Sequence, residues 1–160
     1  MKTFRILISA VLGLALAAFA HASTSPEQPA QTKAASADSL PTIQPEDLVK
    51  ALNAKAGKPL LLHVGFHNLY VHAHIPGSEY AGPASRPEGM EQLKKRVASL
   101  PHNTYIVIYC GCCPWVHCPN IHPAFEELRR MGFTNVKVLY IASNFGQDWI
   151  QKNYPVARGE

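Results

Sequence analysis

All four cysteines of this 160-residue chain fall within nine positions, at Cys110, Cys112, Cys113 and Cys118. Three chemistries suit that density of sulfur. Cys110 follows the apolar run Tyr105-Ile106-Val107-Ile108-Tyr109 and precedes a segment of helical spacing, so it stands on a loop leading from a buried strand into a helix. Such a loop aims backbone N–H groups and the positive end of a helix dipole at its contents, which favours a thiolate or an anion. Cys110 is therefore a candidate nucleophile, with Gly111, Cys112, Cys113, Pro114, Trp115, Val116 and His117 as the loop that would receive a substrate. Alternatively, two of the four cysteines cycle between dithiol and disulfide. In the third case the cluster holds a soft metal such as Cu(I) or Zn²⁺ through Cys110, Cys112, Cys113 and Cys118, with His117 or His122 as nitrogen donors. Zinc sites usually draw two cysteine pairs from separated places, whereas here all the sulfur comes from one loop. Haem attachment is excluded because no Cys-x-x-Cys-His occurs. No cofactor is expected.

The elements that must position this loop alternate along the chain. Gln44-Pro45-Glu46-Asp47 starts a helix with Pro at its first position, Leu48 and Leu52 form its apolar stripe, and Gly57 is expected to stop it. Pro59 to Val64 reads as a short buried strand. Ser85-Arg86-Pro87-Glu88 has capping-box spacing ahead of Met90, Leu93, Val97 and Leu100 on one helical face. Tyr105 to Tyr109 is the second strand. Beyond the cysteines, Asn120 can cap a helix whose inner face is Ile121, Phe125, Leu128 and Met131, with Arg129 and Arg130 in its last turn and Gly132 past its end. Val136 to Ile141 is a third strand. Strands separated by helices imply crossover connections and a parallel sheet covered on both faces, and ligands of such sheets bind beyond the carboxyl ends of the strands. The cysteine loop lies at such an end.

The first 40 residues have a different character. Met1 to Arg5 is a short basic stretch, Ile6 to Phe19 an apolar core too short for a comfortable membrane span, and small-x-small cleavage sites end at Ala20 and Ala22. Residues 1–22 are read as a signal peptide cut after Ala20 or Ala22, placing the mature protein in the periplasm or outside the cell, with no membrane span of its own. Residues 23–40, rich in Ser, Ala, Gln, Pro and Thr, bury too little apolar surface to offset their ordering entropy and read as a disordered linker. Residues 41–160 suffice for one domain. Loss of Lys2 and Arg5 with the leader leaves 13 basic residues against 11 acidic ones. No basic patch interleaved with aromatics occurs, so nucleic acid is not an expected partner.

In order and approximate spacing, Leu62-His63-Val64, Tyr70, Ala73-His74-Ile75-Pro76-Gly77-Ser78, Ile106-Val107-Ile108-Tyr109-Cys110, Leu128, Gly132-Phe133-Thr134-Asn135-Val136, Trp149 and Tyr154-Pro155-Val156 resemble a rhodanese-like (sulfurtransferase) domain. The resemblance spans about Thr42 to Ala157. It implies a three-layer α/β fold with a central, mostly parallel sheet flanked by helices. It also implies that Cys110 takes sulfane sulfur as a persulfide from a small sulfur-containing donor and passes it to a thiol acceptor. A silent fold that only binds a partner is the non-catalytic alternative.

The chain departs from the family pattern at several points. His63-Val64-Gly65 stands where Asp-Val-Arg is usual, Leu69 replaces a common Glu, and Asn144-Phe145 replaces a Gly-Gly pair. No Arg or Lys lies between Cys110 and Phe125 to hold a sulfonate by charge-assisted hydrogen bonds, so backbone amides with His117 or His122 would have to serve. His74 is read as a structural side chain, His63, His67 and His72 as loop polarity rather than the metal site they could make together, Trp115 as a wall or a partner-facing anchor, and Trp149 as core.

Among the thiols, Cys110 is expected to titrate lowest. One of Cys112, Cys113 and Cys118 is expected to resolve oxidised Cys110 into a disulfide. Cys118 is the choice, because its separation from Cys110 leaves enough chain to close a loop, whereas adjacent Cys112 and Cys113 would make a strained ring with each other.

Overall fold

The computed structural model describes residues 40–160. The leader expected at 1–22 lies outside them, as does the linker expected at 23–40 except for its last residue.

Five parallel strands form one sheet in the order β1-β5-β4-β2-β3. They are β1 (Thr42–Ile43), β2 (Leu60–His63), β3 (Glu79–Tyr80), β4 (Ile106–Tyr109) and β5 (Val136–Leu139). The three apolar runs are β2, β4 and β5, with β4 central and every one of its residues buried. The two-residue edge strands β1 and β3 carry no period that a sequence pattern could reveal.

Alternation along the strands sends side chains to two separate cores. Leu62, Val64, Ile106, Ile108, Val136 and Val138 pack against α3 (Pro87–Val97) and α4 (Ile121–Arg130), which contribute Leu93, Val97, Ile121, Ala124 and Leu128. Leu61, Val107, Tyr109, Leu139 and Ile141 face the other way, toward α1 (Pro45–Asn53) and the single π turn Gly146–Ile150, and meet Leu48, Phe145 and Trp149. The short helix α2 (His67–His72) follows β2. Helices thus cover both faces of a parallel sheet, in three layers. Cys110 is the next residue in the Ile106, Ile108 register, so its side chain joins the α3/α4 core.

Several local expectations change in detail. Helix α1 does begin with Pro45 and buries Leu48 completely, but it ends at Asn53, before Gly57. The Ala54 N–H already turns back to the Ala51 carbonyl there. The capping box at Ser85 does not form: Pro87 takes the first helical position, which pushes Arg86 into extended backbone as the cap residue, without a side-chain capping bond. Asn120 likewise precedes α4 without capping it. That helix presents Ile121, Ala124 and Leu128 to the core, leaving Phe125 and Met131 half-buried. No helix among the described residues is long and apolar enough to cross a membrane.

Candidate functional site

The cysteine loop is pinned at both ends. The Val64 N–H donates to the Tyr109 carbonyl at 2.9 Å, and His63 Nε2 donates to the Cys110 carbonyl at 2.9 Å. Gly111 accepts from the Phe145 N–H at 3.0 Å, and the Trp115 N–H donates to the Ile141 carbonyl at 3.0 Å. The loop is therefore bonded at Cys110 to β2 and beyond it to the segment after β5. A short 3-10 turn, Trp115–His117, carries the chain over the sulfurs, and Cys118 ends it just before α4.

Two glycines make the arrangement possible. Gly111 has φ +80°, the left-handed region that costs other residues energy, and a Cβ there would lie 2.6 Å from Phe145 Cβ. Gly65 has the opposite task. A Cβ there would stand 2.5 Å from Cys110 Sγ, so a residue without a side chain clears the space that the sulfur occupies.

The four thiols are free and gather around Cys112. Its Sγ is 3.2 Å from Cys110, 3.1 Å from Cys113 and 3.8 Å from Cys118. The sulfurs of Cys110, Cys112 and Cys118 all lie within 4.8 Å of one another. Cys110 and Cys118 are buried, whereas Cys112 and Cys113 are half-buried. Cys110 and Cys113 stand at Cys-x-x-Cys spacing, yet the sulfur 3.1 Å from that of Cys113 belongs to Cys112.

Asn120, completely buried, is a member of the site that the sequence reading assigned to helix capping. Its Oδ1 accepts from the Ser85 N–H at 3.0 Å and its Nδ2 donates to Cys110 Sγ at 3.5 Å. No local pattern could have marked this role, because Ser85 and Cys110 meet Asn120 only through the tertiary fold.

The hydrogen bonds among these sulfurs favour a thiolate at Cys118 over Cys110 and Cys112. Hydrogen bonds from the Cys110 and Cys112 thiols, joined by the Asn120 and Ile121 N–H groups at the start of α4, outweigh burial and hold the Cys118 thiol far below its ordinary value. At Cys110 the bond with Cys112 acts downward, but the Cys118 thiolate and burial outweigh it, and the thiol is pushed up to about 12. Cys112 is raised by its bond to Cys110. A second thiolate a few ångströms from the first is disfavoured by like-charge repulsion in a poorly solvated place. The lowest-titrating thiol is thus Cys118, not Cys110 as expected from strand-end position alone.

The rest of the loop serves as cover. Trp115 is buried, its ring 6.4 Å from that of His122 and 6.1 Å from that of Tyr140, so it forms a wall. With Ile121, Leu139 and Ile141 it closes a crevice beside Cys110, Cys113 and Cys118 that leaves no room for a water molecule. Pro114 and Val116 are half-buried, and His117 is exposed. His122 Nε2 is buried without a hydrogen-bond partner. A second cleft, of about 190 Å³, lies by the same strand end between His63, Leu69, His72, Cys110, Gly111 and Phe145.

The remaining singled-out residues are structural. His74 Nδ1 is 2.8 Å from the Tyr70 carbonyl and its ring stacks on Tyr70 at 4.0 Å. Tyr109 is locked by Ser78 Oγ at 2.7 Å and the Ile75 N–H at 3.0 Å. Trp149 is fully buried and donates to the Pro155 carbonyl at 2.8 Å.

The family model described as rhodanese-like domain matches residues 44–140, more than half of the chain. The chain belongs to the rhodanese-like domain family. Solved structures share its fold. The Alr3790 protein from Anabaena sp. superimposes with a TM-score of 0.57 at 18% identity, over 73% of this chain and 92% of that one. BH2092 from Bacillus halodurans gives 0.56 at 18% identity, over 74% and 77%. The anaerobic ergothioneine biosynthesis enzyme from Chlorobium limicola gives 0.57 at 19% identity, over 75% of this chain but only 28% of that one. No curated protein matches the chain by sequence. Within the rhodanese-like domain, the Cys-rich loop occupies the carboxyl end of the central strand, where ligands of parallel sheets bind.

Proposed function

We propose that this rhodanese-like protein is an exported sulfurtransferase that carries sulfane sulfur as a persulfide on Cys110. One observation carries the proposal: Cys110 stands at the carboxyl end of the central strand of a rhodanese-like domain, with the Cys112 N–H and Asn120 Nδ2 directed at its sulfur. Those donors stabilise a thiolate, and later the persulfide anion, without a cationic side chain.

The charge held at Cys118 reaches Cys110 by proton exchange within the hydrogen-bonded sulfurs: Cys118 takes up a proton as Cys110 gives one up. The Cys110 thiolate attacks the sulfane sulfur of a small donor, the donor's sulfur–sulfur bond breaks, and the remainder leaves with the bonding pair. Cys110 then carries –S–S⁻. An acceptor thiolate attacks the terminal sulfur and releases Cys110 as thiolate. The Chlorobium limicola neighbour is named for ergothioneine biosynthesis, and its likeness to this chain extends to the fold alone.

Intact mass spectrometry of the reduced protein after incubation with a sulfane-sulfur donor tests the assignment. The parent should gain one sulfur atom, and Cys110→Ser should gain none while still unfolding cooperatively, at a temperature lowered by the smaller, more polar hydroxyl at this buried position. Sulfur uptake by Cys110→Ser at Cys112 or Cys113 would overturn it. Export is tested separately by N-terminal sequencing of the mature protein, which should begin at His21 or Ser23, leaving 23–40 as the tether of a domain at 41–160. A product that keeps Met1 in the membrane would contradict it.

A further inference from the structure

We propose that Cys110, Cys112 and Cys118 form a three-coordinate thiolate site for Cu(I). Their sulfurs lie within 4.8 Å of one another, with Cys112 Sγ at 3.2 Å from Cys110 and 3.8 Å from Cys118. A trigonal ion bonded to sulfur at about 2.3 Å, the metal–thiolate distance of a first-row d¹⁰ ion, separates its ligand atoms by about 4 Å. The three sulfurs reach that spacing by shifts of under about 1 Å, within the reach of side-chain torsions.

The donor count selects the metal. Cys113 lies 3.1 Å from Cys112, but it is not part of the mutually close group and does not make a fourth corner. Zn²⁺ in a closed protein site takes four ligands in a tetrahedron. The mutually close sulfurs supply only three of those corners among the described residues. Hard cations need oxygen donors, which the site lacks. Cu(I) is soft and is satisfied by few thiolates.

The surroundings also fit a metal–thiolate centre, which carries net negative charge. Asn120 Nδ2 is 3.5 Å from Cys110 Sγ, and the Asn120 and Ile121 N–H groups face Cys118 Sγ. These outer donors orient the ligands and offset their charge. Binding moves no electron: Cu(I) remains Cu(I), and the thiol protons it displaces pass to solvent. The site does not depend on sulfur transfer. The two uses are mutually exclusive, since a copper-bound Cys110 cannot attack a donor.

Anaerobic titration of the reduced full-length chain with Cu(I), in competition with a chromophoric Cu(I) chelator, tests the proposal. One equivalent should be retained, with a near-ultraviolet thiolate-to-copper band and three sulfurs at about 2.3 Å by X-ray absorption. Cys110→Ser, Cys112→Ser and Cys118→Ser should each weaken retention by about 100-fold or more, while Cys113→Ser should hold copper as the parent does. Thermal unfolding of each apo variant guards against misfolding, and Cys112→Ser, at a half-buried position, keeps the core intact. Surrender of all copper to the chelator would overturn the proposal, as would equal loss in Cys113→Ser or a four-sulfur shell holding Zn²⁺ more tightly. Sulfur uptake by the apo protein and none by the copper-loaded protein supports it. Copper retention in a protein that takes up no sulfur leaves the site standing and removes only the transferase.

Discussion

Under the proposed sulfur transfer, Cys110 and Cys118 divide the work of nucleophile and charge reservoir, and the division makes their variants behave differently. A thiolate, not a thiol, attacks sulfur, and the standing thiolate is Cys118. It is therefore the group placed to resolve a Cys110 sulfenic acid, forming a Cys110–Cys118 disulfide with loss of hydroxide, even though Cys112 lies closer to Cys110. Cys118→Ala should leave initial sulfur uptake in place while making peroxide inactivation irreversible by added thiol. Peptide mapping of the oxidised parent should show Cys110 joined to Cys118, and a bridge that omits Cys110 would end the resolving role. The same substitution removes the thiolate that pushes Cys110 up to about 12. The pH midpoint of sulfur uptake should accordingly fall by about one unit or more in Cys118→Ala. An unchanged midpoint would mean that Cys118 does not govern the ionisation of Cys110.

Between elements, the decisive contact is the one from the end of β2 to the end of β4. Gly65 follows β2 so closely on Cys110 Sγ that a methyl group cannot be added without displacing the sulfur. Gly65→Ala should cost about 1–3 kcal/mol in urea unfolding and lower the rate of sulfur uptake. In a Cys110→Ala background much of that cost should disappear, since the clashing atom is gone, and a double-mutant cycle reads the coupling directly. Strict additivity would place the strain elsewhere. The Arg96–Glu79 ion pair joins α3 to edge strand β3 and is partly exposed, so it adds little by comparison.

At the scale of the whole molecule, His63 ties stability to pH. Burial is the main cause that lowers its pKa from 6.5 to about 4, against the hydrogen bond to the Cys110 carbonyl, which acts upward. The folded state thus prefers neutral His63 while the unfolded chain binds its proton near pH 6.5. Stability is complete above that value and declines as pH falls toward about 4, by on the order of 3 kcal/mol. Urea unfolding across this window should show the loss in the parent and a flatter profile in His63→Gln. Equal slopes would show that another group titrates. The Glu79 carboxyl, lowered by its bond to Arg96, adds a further loss only at more acidic pH.

The order of apolar runs and helical stripes determines a covered parallel sheet, because period and crossover length are local properties of the chain. The placement of Cys110 at a strand end follows from the run before it, and the face its side chain takes follows from alternation after Ile106 and Ile108. His74 was legible as structural only through the resemblance of its His-Ile-Pro-Gly stretch to the family. Edge strands β1 and β3 were not, being two residues long and defined only by their partners. Nor were the charge on Cys118, the hub position of Cys112, the bridging Asn120 or the clearance at Gly65. Each of these depends on atoms brought together from β2, β4 and the start of α4, and sequence spacing fixes chain length between residues rather than the distances at which their side chains meet.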